Sequence, residues 1–185
     1  KYTQRFENNL GTICAPTVRK CRNKPYTKVT FRPDYARLGL SGLPDDMRKL
    51  LRRRVFDIAA VTDRSVRVKL DGENVPVRHF QQYIGLYPSL KDKQAKAYEA
   101  PNERWEYAVC LSDTDEFTQV SFVNGICTSK GGKHVEYILN QVVRKVVALI
   151  RKKKKVDVRP ATVKEQLMLF VRCDIENPAF DSQTK

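Results

Sequence analysis

An α+β fold with a strand-helix-strand crossover in its C-terminal half is predicted from three observations. Two segments, 47–58 and 135–150, carry apolar residues at three- and four-residue spacing, the signature of helices with one buried face. Runs of alternating or β-branched and aromatic residues flank them, bounded by Asn, Asp, Gly and Pro, as strands are. The second helical stripe lies between two such runs, and a strand, a long helix and a strand in that order imply a right-handed crossover onto one sheet face.

Residues 1–35 hold two strand-like runs, Tyr2–Phe6 and Thr27–Phe31, separated by a polar connection and closed by Arg32-Pro33-Asp34. A helix follows. Pro44 suits a first helical position, Asp45 and Asp46 favour the positive end of the helix dipole, and Met47, Leu50, Leu51, Val55 and Ile58 form the apolar stripe, with Arg48, Arg52 and Arg53 off it. That stripe is predicted to be core. Val66–Leu70 then alternates into Asp71-Gly72, and Val75-Pro76-Val77 returns, which reads as a hairpin with Pro76 on an edge. A short amphipathic stretch, Phe80–Leu86, leads to residues 88–103, where Lys, Ala, Pro and Glu replace the apolar pattern. The predicted domain boundary falls there, dividing 1–87 from 88–185.

The second half opens with a predicted strand pair, Trp105–Leu111 and Phe117–Asn124, joined by the turn-rich Ser112–Glu116. Thr128-Ser129-Lys130-Gly131-Gly132-Lys133 hands the chain to the longest helix. Its Val135, Ile138, Leu139, Val142, Val143, Val146, Val147 and Ile150 make a broad apolar face, and it ends in Arg151-Lys152-Lys153-Lys154-Lys155. After Pro160 a polar segment precedes the strand Gln166–Ile175, and Asn177–Lys185 closes the chain as a polar loop.

Composition bounds the function. With 185 residues and 41% apolar content the chain suits one large or two small domains with a real core. No apolar run approaches the roughly 20 residues that span a bilayer, so no membrane partner is expected. The start, Lys1-Tyr2-Thr3, has neither methionine nor signal-peptide core and reads as the beginning of a piece cut from a longer protein. Five cysteines without a C-x-x-C pair point to reduced thiols inside a cell. The 35 Lys and Arg against 21 Asp and Glu give a net charge of +14, which attracts polyanions; the alternative is a basic surface that is merely solvated or faces an acidic domain.

The glycine pair of Lys130-Gly131-Gly132-Lys133 sits between a strand and a helix, where phosphate-cradling loops occur. Its spacing fits neither a Walker A loop nor a dinucleotide fingerprint, so a tight turn needing glycine freedom is the better reading. The run Arg151–Lys155 at a helix C-terminus can offset the dipole, or it can bind phosphates, releasing a counterion for each. No aromatic residues interleave with it, which favours duplex backbone over single strands. His79 and His134 lack triad or metal company, and no set of nucleophile, base and orienting group is found: no catalytic or metal-binding residue is predicted.

Phe122-Val123-Asn124-Gly125-Ile126-Cys127-Thr128-Ser129-Lys130-Gly131-Gly132-Lys133-His134-Val135-Glu136-Tyr137 resembles a block of the eukaryotic type II DNA topoisomerases, and the ending Glu176–Lys185 is similar to the same family almost letter for letter. Fainter similarity covers Thr27–Asp34, Arg53–Ala59 and Val75–Tyr83. The resemblance implies that 1–87 is the C-terminal portion of an ATP-binding domain of the α/β sandwich type shared by gyrase B, MutL proteins and a heat-shock chaperone. Residues 88–185 would then be a transducer similar to the second domain of ribosomal protein S5. It further implies that Gln183, Thr184 and Lys185 form the loop that meets the γ-phosphate of ATP, and that Arg151, Lys152 and Lys153 contact duplex DNA. The whole enzyme would be a nuclear or organellar homodimer using ATP and Mg2+. The metal-binding Asn and the general-base Glu are expected before residue 1 and the cleavage tyrosine beyond residue 185, so this piece alone is expected to bind no cofactor and to be inactive. The rival reading is a non-enzymatic basic nucleic-acid-binding module with a ribosomal-type fold.

Overall fold

The computed structural model describes residues 1–8, 10–22, 24–87 and 96–181, in two compact units, Lys1–Gly42 and Leu43–Lys185. The first unit contains two small antiparallel pairs: β1 (Tyr2–Thr3) with β4 (Thr17–Val18), and β2 (Phe6–Glu7) with β3 (Thr12–Ile13). The strand predicted over Thr27–Phe31 is not formed. Val29 and Phe31 are exposed, and among the described residues no neighbouring edge takes up their backbone groups, which a strand requires.

The second unit begins with α1 (Asp45–Val61), capped by Pro44 with Asp45 and Asp46 in its first turn as predicted. Its predicted core stripe is a correction. Met47, Leu50, Leu51 and Ile58 are exposed, whereas Asp57, Ala59 and Ala60 are buried, with Val55, Phe56 and Val61 packed beside them. The two alanines let the helix seat closely. A buried carboxylate is tolerated because Asp57 Oδ1 accepts from Tyr83 Oη (2.6 Å) and Oδ2 from Arg54 Nη1 (2.9 Å).

The predicted hairpin turn is present between β5 (Lys69–Leu70) and β6 (Glu73–Asn74), but the returning strand is Glu73–Asn74 and not the predicted Val75-Pro76-Val77, which follows it outside any strand. Asp71 (φ 51°) and Gly72 (φ 86°) supply the two left-handed residues that such a two-residue turn needs. The amphipathic stretch becomes α2 (Phe80–Ile84), where His79 Nδ1 accepts the Gln82 amide as a cap and Phe80, Tyr83 and Ile84 are buried.

A five-stranded mixed sheet follows, in the order β10-β9-β11-β8-β7: β7 (Ala97–Asn102), β8 (Trp105–Leu111), β9 (Thr118–Val123), β10 (Ile126–Cys127) and β11 (Leu167–Cys173). Two features differ from the sequence reading. β7 is a strand, although 88–103 reads as a boundary; it lies on the sheet edge, mostly exposed, where Pro101 and polar residues are tolerated. And β8 and β9 are not partners, because β11 inserts between them, antiparallel to β8 and parallel to β9. The parallel pair confirms the strand-helix-strand crossover through α3 (Lys133–Lys154), with α4 (Pro160–Glu165) before the return strand.

This insertion explains the apolar run Leu167–Val171. Met168 and Phe170 face the cluster that holds Ala59, Ala60, Phe80, Tyr83, Ile84 and Phe122. Leu167, Leu169, Val171 and Cys173 face the other cluster, with Val135, Ile138, Leu139 and Val143 of α3 and Val163 of α4. A central strand covered by helices on both faces reads as continuously apolar. Tyr87 seals one side with its ring edge-on to Phe170, centroids 5.0 Å apart.

One core therefore joins α1 and α2 to the sheet and runs across the predicted boundary at 87/88, next to the 88–95 stretch that lies outside the described residues.

Candidate functional site

Three regions of the second unit carry the residues that the sequence singles out: the glycine loop before α3, the loop after β11, and the far end of α3.

In the glycine loop, Gly131 (φ 75°) and Gly132 (φ 144°) adopt conformations that side chains resist, and a Cβ on Gly132 would lie 3.2 Å from the His134 ring. Gly132 also starts the helix, its carbonyl accepting from Val135 and Glu136. Gln119 Nε2 donates to the carbonyls of Thr128 (3.2 Å) and Ser129 (3.0 Å), tying the loop to β9. Beneath it His134 is buried. Its Nε2 shares a hydrogen bond with Thr128 Oγ1 (3.0 Å), which in turn bonds Ser121 Oγ, and burial holds its pKa below the usual histidine value. The glycine pair thus forms a tight turn at the start of α3.

The loop after β11 is rooted at three points. Asn124, left-handed at φ 49° in the β9–β10 turn, donates Nδ2–H to the Ile175 carbonyl (2.9 Å) and accepts the Ile175 amide at Oδ1 (2.7 Å). Arg104 donates Nε–H to the Asp174 carbonyl (3.0 Å) and Nη1–H to Glu176 Oε1 (3.0 Å). Arg172 donates to Asp174 Oδ2 (3.0 Å) and faces Glu106 Oε2 at 3.8 Å. Farther along, Phe180 packs against the α3-side cluster. The glycine loop together with Ile175 and residues Asn177–Asp181 lines a cavity of about 510 Å³. Neither Asn124 nor Arg104 was singled out from the sequence; the Asn-Gly turn dipeptide at 124–125 was the available signal.

The predicted ATP-binding residues Gln183, Thr184 and Lys185 lie outside the described residues. The predicted DNA-binding residues Arg151, Lys152 and Lys153 are exposed on the last turn of α3. Arg151 Nε approaches Asp157 Oδ1 (3.3 Å), and Lys155 ends the helix left-handed at φ 58° with its amide on the Arg151 carbonyl. Both groups of this ion pair are well exposed, so its contribution is small. The glycine loop and the basic run occupy opposite ends of one 22-residue helix, about 33 Å apart. Among the described residues no group of three or more His, Cys, Asp or Glu side chains is placed to hold a metal ion, and no helix is long and apolar enough to cross a membrane.

The chain is similar to known proteins along its whole length. The family described as DNA gyrase B matches residues 77–185. DNA topoisomerase 2 of Arabidopsis thaliana is 45% identical over all of this chain and 13% of its own length, and that of Saccharomyces cerevisiae is 42% identical over all of this chain and 14% of its own. The crystal structure of the ATPase region of Saccharomyces cerevisiae topoisomerase II superposes with a TM-score of 0.88 at 41% identity, covering all of this chain and 47% of that one. The chain thus spans about a seventh of the full-length relatives and about half of the solved ATPase region.

Proposed function

This chain belongs to the type II DNA topoisomerases, and on that premise we propose that it acts in an ATP-dependent enzyme that passes one duplex through a double-strand break in another. Residues 1–87 would serve as the end of the ATP-binding domain and 88–185 as the transducer that couples the nucleotide to gate motion in a nuclear or organellar homodimer.

The observation that supports this role most is the anchoring of the loop after β11. Asn124, Arg104 and Arg172 hold its root at Asp174 and Ile175, a few residues before Gln183, Thr184 and Lys185 in the sequence. In this reading Gln183 donates to a γ-phosphate oxygen, Lys185 offsets its charge as a compact cation, and Thr184 spaces them. Bound ATP would supply the phosphoanhydride that is cleaved. Among the described residues no group of three or more His, Cys, Asp or Glu side chains is placed to hold Mg2+.

Coupling follows from packing. β11 ends at the loop and is buried on both faces, and α3 lies against one of them, so a shift at the loop moves strand and helix together as a body. The far end of that helix carries Arg151, Lys152 and Lys153, which would follow a duplex by its phosphates.

The test is Lys185→Ala in the whole protein. DNA-stimulated ATP turnover should fall about 100-fold, the scale of losing one preorganised charge at a transferring phosphoryl group. Unchanged turnover removes Lys185 from the role.

A further inference from the structure

We propose that Arg64, Arg67 and Arg78 form a phosphate-binding site, separate from the basic end of α3, that engages the backbone of duplex DNA. The three arginines line one recess of about 190 Å³, together with Ser65 and Asn74, and among the described residues no acidic side chain lines it. Arg64 and Arg67 lie three residues apart, and Arg78 meets them because the β5–β6 hairpin folds residues 75–78 back beside 64–68.

Arg54, Arg104, Arg151 and Arg172 of the same unit each have a carboxylate within 4.0 Å, whereas among the described residues Arg64, Arg67 and Arg78 have no ion pair. Asp63, beside Arg64, accepts from the Ser65 hydroxyl (2.6 Å) and amide (2.8 Å), and these bonds, with a smaller effect from the Arg64 charge, hold its carboxyl below the usual carboxylate range.

The backbone beneath the recess is held. The Val66 amide bonds the Asp63 carbonyl (3.0 Å), the Val75 amide the Val68 carbonyl (3.1 Å) and the Arg78 amide Gln82 Oε1 (2.8 Å), with Val75 and Val77 buried. The three arginines are exposed, and among the described residues no carboxylate forms an ion pair with them that a ligand would have to displace. Three planar, permanently charged forks around one recess suit tetrahedral phosphate oxygens, which arginine takes two at a time. The anion class stands on the recess itself. The duplex as occupant rests on the topoisomerase reading.

The test is binding of the 185-residue chain to a labelled blunt duplex over a range of NaCl concentrations. With Arg64, Arg67 and Arg78 all changed to Ala, the slope of log affinity against log salt should become shallower by about 2.7, about 0.9 per phosphate contact. Circular dichroism and a thermal melt check that this variant folds, and the all-Lys variant should keep most of the slope while binding more weakly, because charge persists and the fork is lost. A charge-matched variant, Arg19→Ala with Arg22→Ala and Arg32→Ala in the first unit, should lose less than about one unit of slope. The proposal is overturned if the recess variant keeps the parent slope, or if the charge-matched variant loses as much. It is also overturned if the recess variant loses inorganic tripolyphosphate binding while its duplex slope stays unchanged. This outcome is independent of Lys185→Ala, which reads ATP turnover in the whole protein.

Discussion

Asn124 and Ile175 exchange two hydrogen bonds, side-chain amide to carbonyl at 2.9 Å and backbone amide to Oδ1 at 2.7 Å, across 51 residues of sequence. One side chain thus closes the β9–β10 turn onto the exit of β11. Asn124 is left-handed, so Asn124→Gly should lose the bonds alone, about 1–2 kcal/mol in urea unfolding, and Asn124→Ala about 1–2 kcal/mol more from strain. If the two variants unfold together with the parent, the clamp is not holding the loop.

The buried Asp57 makes a second test. Tyr83→Phe removes one of its donors and should cost about 1–2 kcal/mol; Asp57→Ala leaves Tyr83 and Arg54 without their acceptor beside a cavity and should cost about 2–4 kcal/mol. The double variant should cost less than the sum, because the two residues share one bond. Strict additivity in the cycle would show that Asp57 and Tyr83 are stabilised separately.

His134 sets a pH dependence. Its folded pKa is lowered by burial from the model-peptide value of 6.5, so between those values the unfolded chain binds the extra proton. Its contribution is therefore fully present above about pH 6.5 and is lost as pH falls below that, with a limit of about 1.4 kcal/mol per pH unit for one proton. The pH profile of His134→Gln should be flatter over that window, and an identical profile would assign the acid sensitivity to other groups.

At the end of α3, Lys152→Ala with Lys153→Ala should shrink the salt slope of duplex binding by about 1.8 while leaving the melting temperature within a few degrees, since both side chains are exposed. A slope that does not change makes the run a helix end and no more.

How far the fold was legible depended on how each element is buried. The α3 stripe was read correctly because the helix faces one apolar sheet surface, so periodicity and burial coincide from Val135 to Ile150. The same reasoning failed on α1. There the seat is made by Ala59 and Ala60 and by a hydrogen-bonded Asp57, which no apolar pattern marks, while Met47, Leu50, Leu51 and Ile58 point away from it. β7 was hidden for a related reason: an edge strand needs no apolar alternation.

The site was legible as motifs and not as a place. The glycine loop, the basic run and the closing loop could each be quoted from the chain, but that the first and third line one cavity, with the second at the opposite end of α3, follows from where β11 lies.

By itself the sequence determined the α+β class, the crossover, the family and the chemical character of both ends of α3, since periodicity, turn dipeptides and motif letters are local. Only the tertiary structure decided that β11 separates β8 from β9, that Asn124 reaches Ile175, and that Arg64, Arg67 and Arg78 share a recess. Those relations depend on which distant surfaces exclude water together, and no local pattern carries that information.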